Sequence, residues 1–299
     1  MPKPSNVVQF HMQPNFDGED DAPVALPPTD THRAATRMPT SKLDLTDKPK
    51  VWFVIGPGRS GKTMLVRWVA EICATRGAYP IVAAADPQNR SLKNYFTDVQ
   101  EPPTNDATAT AKWLEAILRH VTAEAKKSEP VSALIDLGGG DTSLQKMLAG
   151  VPDIAAVLDE AGVAPVAVYL LGPRQDDLAS LASFEAMAFT PAATVLVRNE
   201  GLTDPSIDRT IAFARVLRRP EYKAAIERGA VEIWMPRLDP AVAQEIEAKR
   251  LSFIQARDAI SPKGRTVPPL APFDRSRVRR FWDEMATDME PIASWLPQT

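Results

Sequence analysis

The chain has 299 residues, 44% hydrophobic and 24% charged, with a net charge of −3 and one cysteine. That length and apolar content suit one large domain, or one domain with appendages. The small net charge excludes a global pull toward nucleic acid or membrane, and a lone Cys73 excludes an internal disulfide.

Residues 1–48 interleave Pro2, Pro4, Pro14, Pro23, Pro27, Pro28 and Pro39 with the acidic cluster Asp17, Glu19, Asp20 and Asp21. No apolar period persists there, so a disordered tail is expected. The start of the chain lacks a continuous apolar secretory segment and no apolar run is long enough for a membrane span; a cytoplasmic protein is expected.

Val51–Ile55 is an apolar run, followed by Gly56-Pro57-Gly58-Arg59-Ser60-Gly61-Lys62-Thr63. Apolar residues then recur at Met64, Leu65, Trp68, Val69, Ile72 and Cys73, up to Gly77. This reads as a buried strand, a tight loop and an amphipathic helix, with Cys73 on the helix's buried face. Further strands are predicted at Pro80–Ala85, Val131–Leu137, Pro165–Leu171, Ala193–Arg198 and Val231–Met235, and a helix at Ala111–Ala125. Most strands are continuous apolar runs, as strands covered on both faces should be. Strand alternating with helix predicts an α/β fold, a mostly parallel sheet flanked by helices on both faces. This domain is placed at 49–260, a proline-rich linker at 261–273 and an amphipathic helix at 274–299. Trp282, Met285, Met289, Ile292 and Trp295 share one face of that helix, which should dock on the domain.

The loop at 56–63 satisfies G-x-x-x-x-G-K-[ST] between a strand and a helix, the context a phosphate-binding loop requires. Its glycines let successive N–H groups turn inward toward phosphate oxygens, and the following helix N-terminus adds positive potential. Gly56, Gly58, Arg59, Ser60, Gly61, Lys62 and Thr63 are therefore the candidate nucleotide-binding residues. Lys62 would reach the β- and γ-phosphates, and the Thr63 hydroxyl would bind Mg2+. Asp136 ends a buried run and precedes Gly138, Gly139 and Gly140, a place for a carboxylate beside the metal. Asp86 emerges at the carboxyl edge of the sheet, where it would act on the metal through water or orient an attacking water. Its bland alternative is an Asp-Pro turn. Asn199, just past the fifth strand, has the donor and acceptor to pair with a purine edge, or else caps a turn. Pro236, after the last strand, would form the other wall of a base pocket.

In this order the pieces resemble the ParA/MinD family of dimeric P-loop ATPases. The resemblance covers about residues 50–255 and rests on the loop at 56–63, ADPQN at 85–89, IDLGGGD at 135–141, VYLLGPRQDDLASL at 168–181, LVRN at 196–199 and WMPRL at 234–238. It implies ATP and Mg2+ as cofactors, with Lys62, Asp86 and Asp136 catalytic and Thr63, Asp86 and Asp136 near the metal. It further implies a nucleotide-dependent homodimer, an activating protein partner, and a setting in plasmid partition or conjugative DNA transfer. One departure stands out: the family's early signature lysine is replaced by Pro57. Arg59 is the nearest cation able to fork onto phosphates in its stead.

Two other classes stay open, a P-loop kinase acting on a small molecule and an adaptor that binds nucleotide with little turnover. A GTPase fits less well, because Asn199-Glu200-Gly201-Leu202 fails N-K-x-D. Lys263, Arg265, Arg275, Arg277, Arg279 and Arg280 make a basic stretch that suits non-specific DNA or a solvated face. His11, His32 and His120 have no metal-ligand spacing.

Overall fold

A computed structural model describes residues 41–85, 90–140 and 142–298. Six strands form one parallel sheet: β1 (Lys50–Ile55), β2 (Ile81–Ala84), β3 (Ala133–Asp136), β4 (Ala164–Leu171), β5 (Ala193–Asn199) and β6 (Val231–Met235). Their spatial order is β2-β3-β1-β4-β5-β6, with β1 paired to β3 on one side and to β4 on the other. Parallel pairing forces each connection to cross a face of the sheet, and helices make those crossings. Ten α-helices serve among the described residues: α1 (Lys62–Thr75), α2 (Ala107–Glu124), α3 (Ser143–Gly150), α4 (Ile154–Glu160), α5 (Ala179–Ala186), α6 (Arg209–Leu217), α7 (Pro220–Glu227), α8 (Pro240–Lys249), α9 (Phe253–Asp258) and α10 (Pro272–Asp288).

The period-2 alternation of β1 divides the core. Trp52 and Val54 face α1, α8, α9 and α10, through Leu65, Trp68, Ile246, Phe253 and Phe281. Val51, Phe53 and Ile55 face α2 to α7, through Leu114, Leu144, Leu158, Phe184, Phe213 and Tyr222. Both sheet faces are thus covered, which is why the strands read as continuous apolar runs. Cys73 is buried on α1, and burial pushes its thiol up to about 12. Helix α1 stops where the Gly77 and Ala78 N–H groups bond back to Ala74 O and Cys73 O.

Several predicted boundaries move. The second and third strands are shorter than expected, and α2 starts at Ala107 because Asp106 Oδ1 accepts Ala109 N–H at 2.8 Å. The expected tail gives way to core before residue 49: Leu45 is buried and Ser41 N–H donates to Pro291 O. At the other end a single helix to Trp295 was expected. Instead α10 stops at Asp288 and a 3-10 segment, kinked at Ile292, follows over Glu290–Trp295; Pro291 lacks the N–H that a continued α-helix would need. This C-terminal segment is no appendage. Val278, Phe281, Trp282 and Met285 lie in the core, and Trp52 Nε1 donates to Trp295 O at 2.7 Å. The stretch 261–273 also contributes a core residue, Leu270.

Candidate functional site

The loop from Gly56 to Gly61 leaves the carboxyl end of β1 and turns directly into α1. It sits at the middle of the sheet, where β1 has neighbours from both halves of the strand order. Such a switch point is where open α/β sheets bind ligands.

Strand ends on both sides hold the loop in place. From the β3 side, Gly139 approaches so closely that a Cβ there would lie 2.2 Å from Gly58 N and 2.5 Å from Gly58 Cα. From the β5 and β6 side, a Cβ on Gly61 would lie 2.6 Å from Asn199 Nδ2 and 3.3 Å from Met235 Cε. Gly61 itself has φ +97°, a left-handed conformation suited to glycine. Arg59, at φ 61°, is an exposed non-glycine residue in the same region.

Lys62 Nζ donates to Gly56 O at 3.0 Å and Pro57 O at 2.9 Å, so the ammonium lies across the rim of the loop. Thr63 Oγ1 donates to Asp136 Oδ2 at 2.7 Å. Asp136 is buried at the end of β3, in register with Val54 of β1 and Ala84 of β2. The structure therefore brings Lys62, Thr63 and Asp136 to one point, although Asp136 lies far along the chain from the loop.

These residues suit a magnesium–nucleotide complex. A hydroxyl and a carboxylate in contact are a hard-oxygen donor set, and Mg2+ is normally bound by one or two carboxylates with phosphates and waters completing the shell. Gly58 is exposed, with open space where a side chain would stand.

That combination decides the fold family. The fold is that of a P-loop NTPase.

Beside the P-loop opens a cleft of about 310 Å³, lined by Gly58 to Met64, Asp136 and Gly139, and also by Arg67, Ser91, Tyr95 and Glu247. Arg67 is buried, stacked over the Tyr95 ring at 3.4 Å, and donates to Leu251 O at 3.0 Å. One turn on, buried Glu71 accepts from Phe253 N and Ile254 N, both at 3.0 Å. Burial pushes the Glu71 carboxyl up, while Arg67 and the two N–H groups pull it back. Together these contacts from α1 fix the start of α9 against it. A larger cavity of about 710 Å³ lies between α5, α7 and the start of β5. It is walled by Tyr169, Phe189 and the Glu185–Arg228 ion pair, away from the P-loop and its metal-suited oxygens.

The remaining candidates fall out unevenly. Asp86 lies outside the described residues. Pro236 is buried directly after β6. Asn199 differs from the base-pairing expectation: it is buried, its Nδ2 donates to Ser60 O and its Oδ1 accepts from Gly201 N, both at 2.8 Å. Asn199 and Pro236 are not in the walls of the cleft. Sequence reading passed over Gly139 as a contact to the loop, and also Arg237. Arg237 Nη2 donates to Glu200 O at 2.8 Å and lies 3.0 Å from Thr203 Oγ1, tying down the turn after Asn199. An arginine in the proline segment after β6 was the available signal. In the basic stretch, Arg277 pairs with Asp274 at 2.5 Å and Arg280 approaches Glu284 at 3.9 Å, so part of that charge is met locally.

No protein-family model matches the chain, and no curated protein matches it. Solved structures similar to it include a nucleotide-binding protein from Archaeoglobus fulgidus in complex with ADP, at 14% identity, 69% coverage of this chain and 88% of that one, with a TM-score of 0.41. A ParA family ATPase from Chlorobium tepidum is 13% identical, covering 78% and 97% respectively, with a TM-score of 0.42. The MinD cell division protein of Aquifex aeolicus is 12% identical, covering 80% and 97%, with a TM-score of 0.43. Among the described residues no helix is long and apolar enough to cross a membrane.

Proposed function

We propose that this chain is an ATP-binding and ATP-hydrolysing nucleotide switch of the ParA/MinD type. The observation that carries the reading is the 2.7 Å contact of Thr63 with buried Asp136, beside a P-loop whose Lys62 spans its rim. Bound MgATP would supply a phosphoanhydride with its charge partly neutralised by the metal. The chain's own part would be positioning: Lys62 would meet the terminal phosphates, Thr63 and Asp136 would hold the metal's shell, and the loop's backbone N–H groups would carry the rest. Gly139 packs against Gly58, so a change at a bound γ-phosphate would reach the segment after β3. Arg59, exposed at the tip, is the cation we assign to the partner's nucleotide in a nucleotide-dependent homodimer. Hydrolysis would then be slow until a partner protein or non-specific DNA engages. Plasmid partition or conjugative transfer is the setting the sequence resemblance implies.

A small-molecule kinase is the second reading, favoured by the polar side chains of Ser91, Tyr95 and Glu247, which line the same cleft as the P-loop. Phosphate appearing on a supplied acceptor rather than in water would select it.

Calorimetry with MgATP tests the main reading. Lys62→Ala should weaken binding about 10- to 100-fold, as expected for a lost charge-assisted contact. Arg59→Ala should leave binding intact and abolish dimer-stimulated turnover. Absence of heat with adenylates and guanylates alike would refute nucleotide binding.

A further inference from the structure

We infer that Asn199 is a positioning residue for the phosphate loop and not a reader of the base. Its amide orientation is set by its partners: Ser60 O can only accept and Gly201 N can only donate, so Nδ2 must face the loop and Oδ1 the turn. The turn is held in its own right by Arg237, which bonds Glu200 O and Thr203 Oγ1. Asn199 is 5% exposed, and its amide fills the space a Gly61 side chain would need. Little of it is left for a ligand edge.

The consequence follows from peptide planarity. In a trans peptide the C=O and the next N–H point in opposite directions. Drawing Ser60 O toward β5 therefore turns the Gly61 N–H away from Asn199. That is the side of the cleft, which the P-loop lines and Asn199 does not. Asn199 thus aims one phosphate-binding N–H before any ligand arrives, and does so for any phosphate ligand regardless of base.

The inference rests on the phosphate-binding reading of the loop, and one experiment separates the two. Magnesium tripolyphosphate, MgATP and MgGTP are titrated calorimetrically into full-length wild type, Asn199→Ala and the similarly branched Asn199→Leu, with a thermal melt of each. We expect both variants to lose about tenfold in affinity for all three ligands, the effect of one net hydrogen bond, with the ATP:GTP preference unchanged. Unchanged tripolyphosphate affinity with a collapsed ATP:GTP preference would make Asn199 a base reader and overturn the inference. A lowered melting temperature with all affinities retained would make it a simple turn cap, and would overturn it equally. If wild type binds none of the three, the phosphate-loop reading itself falls, and the inference with it.

Discussion

Replacing Gly61 by alanine probes the packing that holds the P-loop. At φ +97° an L side chain is strained by about 1–2 kcal/mol. The new Cβ would also stand 2.6 Å from Asn199 Nδ2, where ordinary contact begins near 3.4 Å, and 3.3 Å from Met235 Cε. The amide cannot simply swing aside, because it is bonded to both Ser60 O and Gly201 N. Overpacking of this kind costs about 1–3 kcal/mol, so Gly61→Ala should lose roughly 2–5 kcal/mol in all. Urea denaturation of the ligand-free protein, followed by tryptophan fluorescence, measures it. In an Asn199→Ala background the Cβ gains room, and the penalty should shrink to the backbone strain alone. The double-mutant cycle should therefore report a coupling of about 1–3 kcal/mol. A Gly61→Ala protein within about 0.5 kcal/mol of wild type, or a strictly additive cycle, would refute the packing argument.

Glu71→Ala would leave the Phe253 and Ile254 N–H groups at the start of α9 without their acceptor. With two buried donors left unpaired, a loss of about 2–6 kcal/mol in the same denaturation assay is expected, and a change under about 1 kcal/mol would contradict the anchoring of α9 by Glu71. Lys50 gives a pH signature. It is buried at the start of β1 and burial lowers its ammonium to about 8, from the ordinary 10.5. Between those values the unfolded chain binds more protons, so this group makes stability rise with pH from about 8 to about 10.5. Buried Cys73, held up to about 12 from 9.0, opposes this over the upper part of the range, where the unfolded thiol ionises first. The rise should thus be clearest in Cys73→Ala and vanish in Cys73→Ala/Lys50→Met. A flat profile from pH 8 to about 10.5 in Cys73→Ala alone would refute it.

Local pattern carried the fold a long way. Six apolar runs placed six strands because strands covered on both faces leave an unbroken apolar signature, and the glycine-rich turn between Ile55 and Met64 declared the loop. Thr63 and Asp136 were legible as partners since each sits at a chemically marked place, a motif's end and a strand's end. The C-terminal segment was harder. Its amphipathic face was plain, but its burial against Trp52 and α1 was not, because docking depends on a surface assembled from other parts of the chain.

Asn199 marks the boundary most sharply. An amide after a strand serves a base, a cap or a loop with the same atoms, and nothing nearby in the chain chooses among them. Its partner Ser60 lies 139 residues away and comes within reach because a single strand, β4, lies between β1 and β5 in the folded sheet. Composition and periodicity could specify that a phosphate loop exists; which side chains hold its peptides in place is settled by strand order, since that alone sets which carboxyl ends stand next to it.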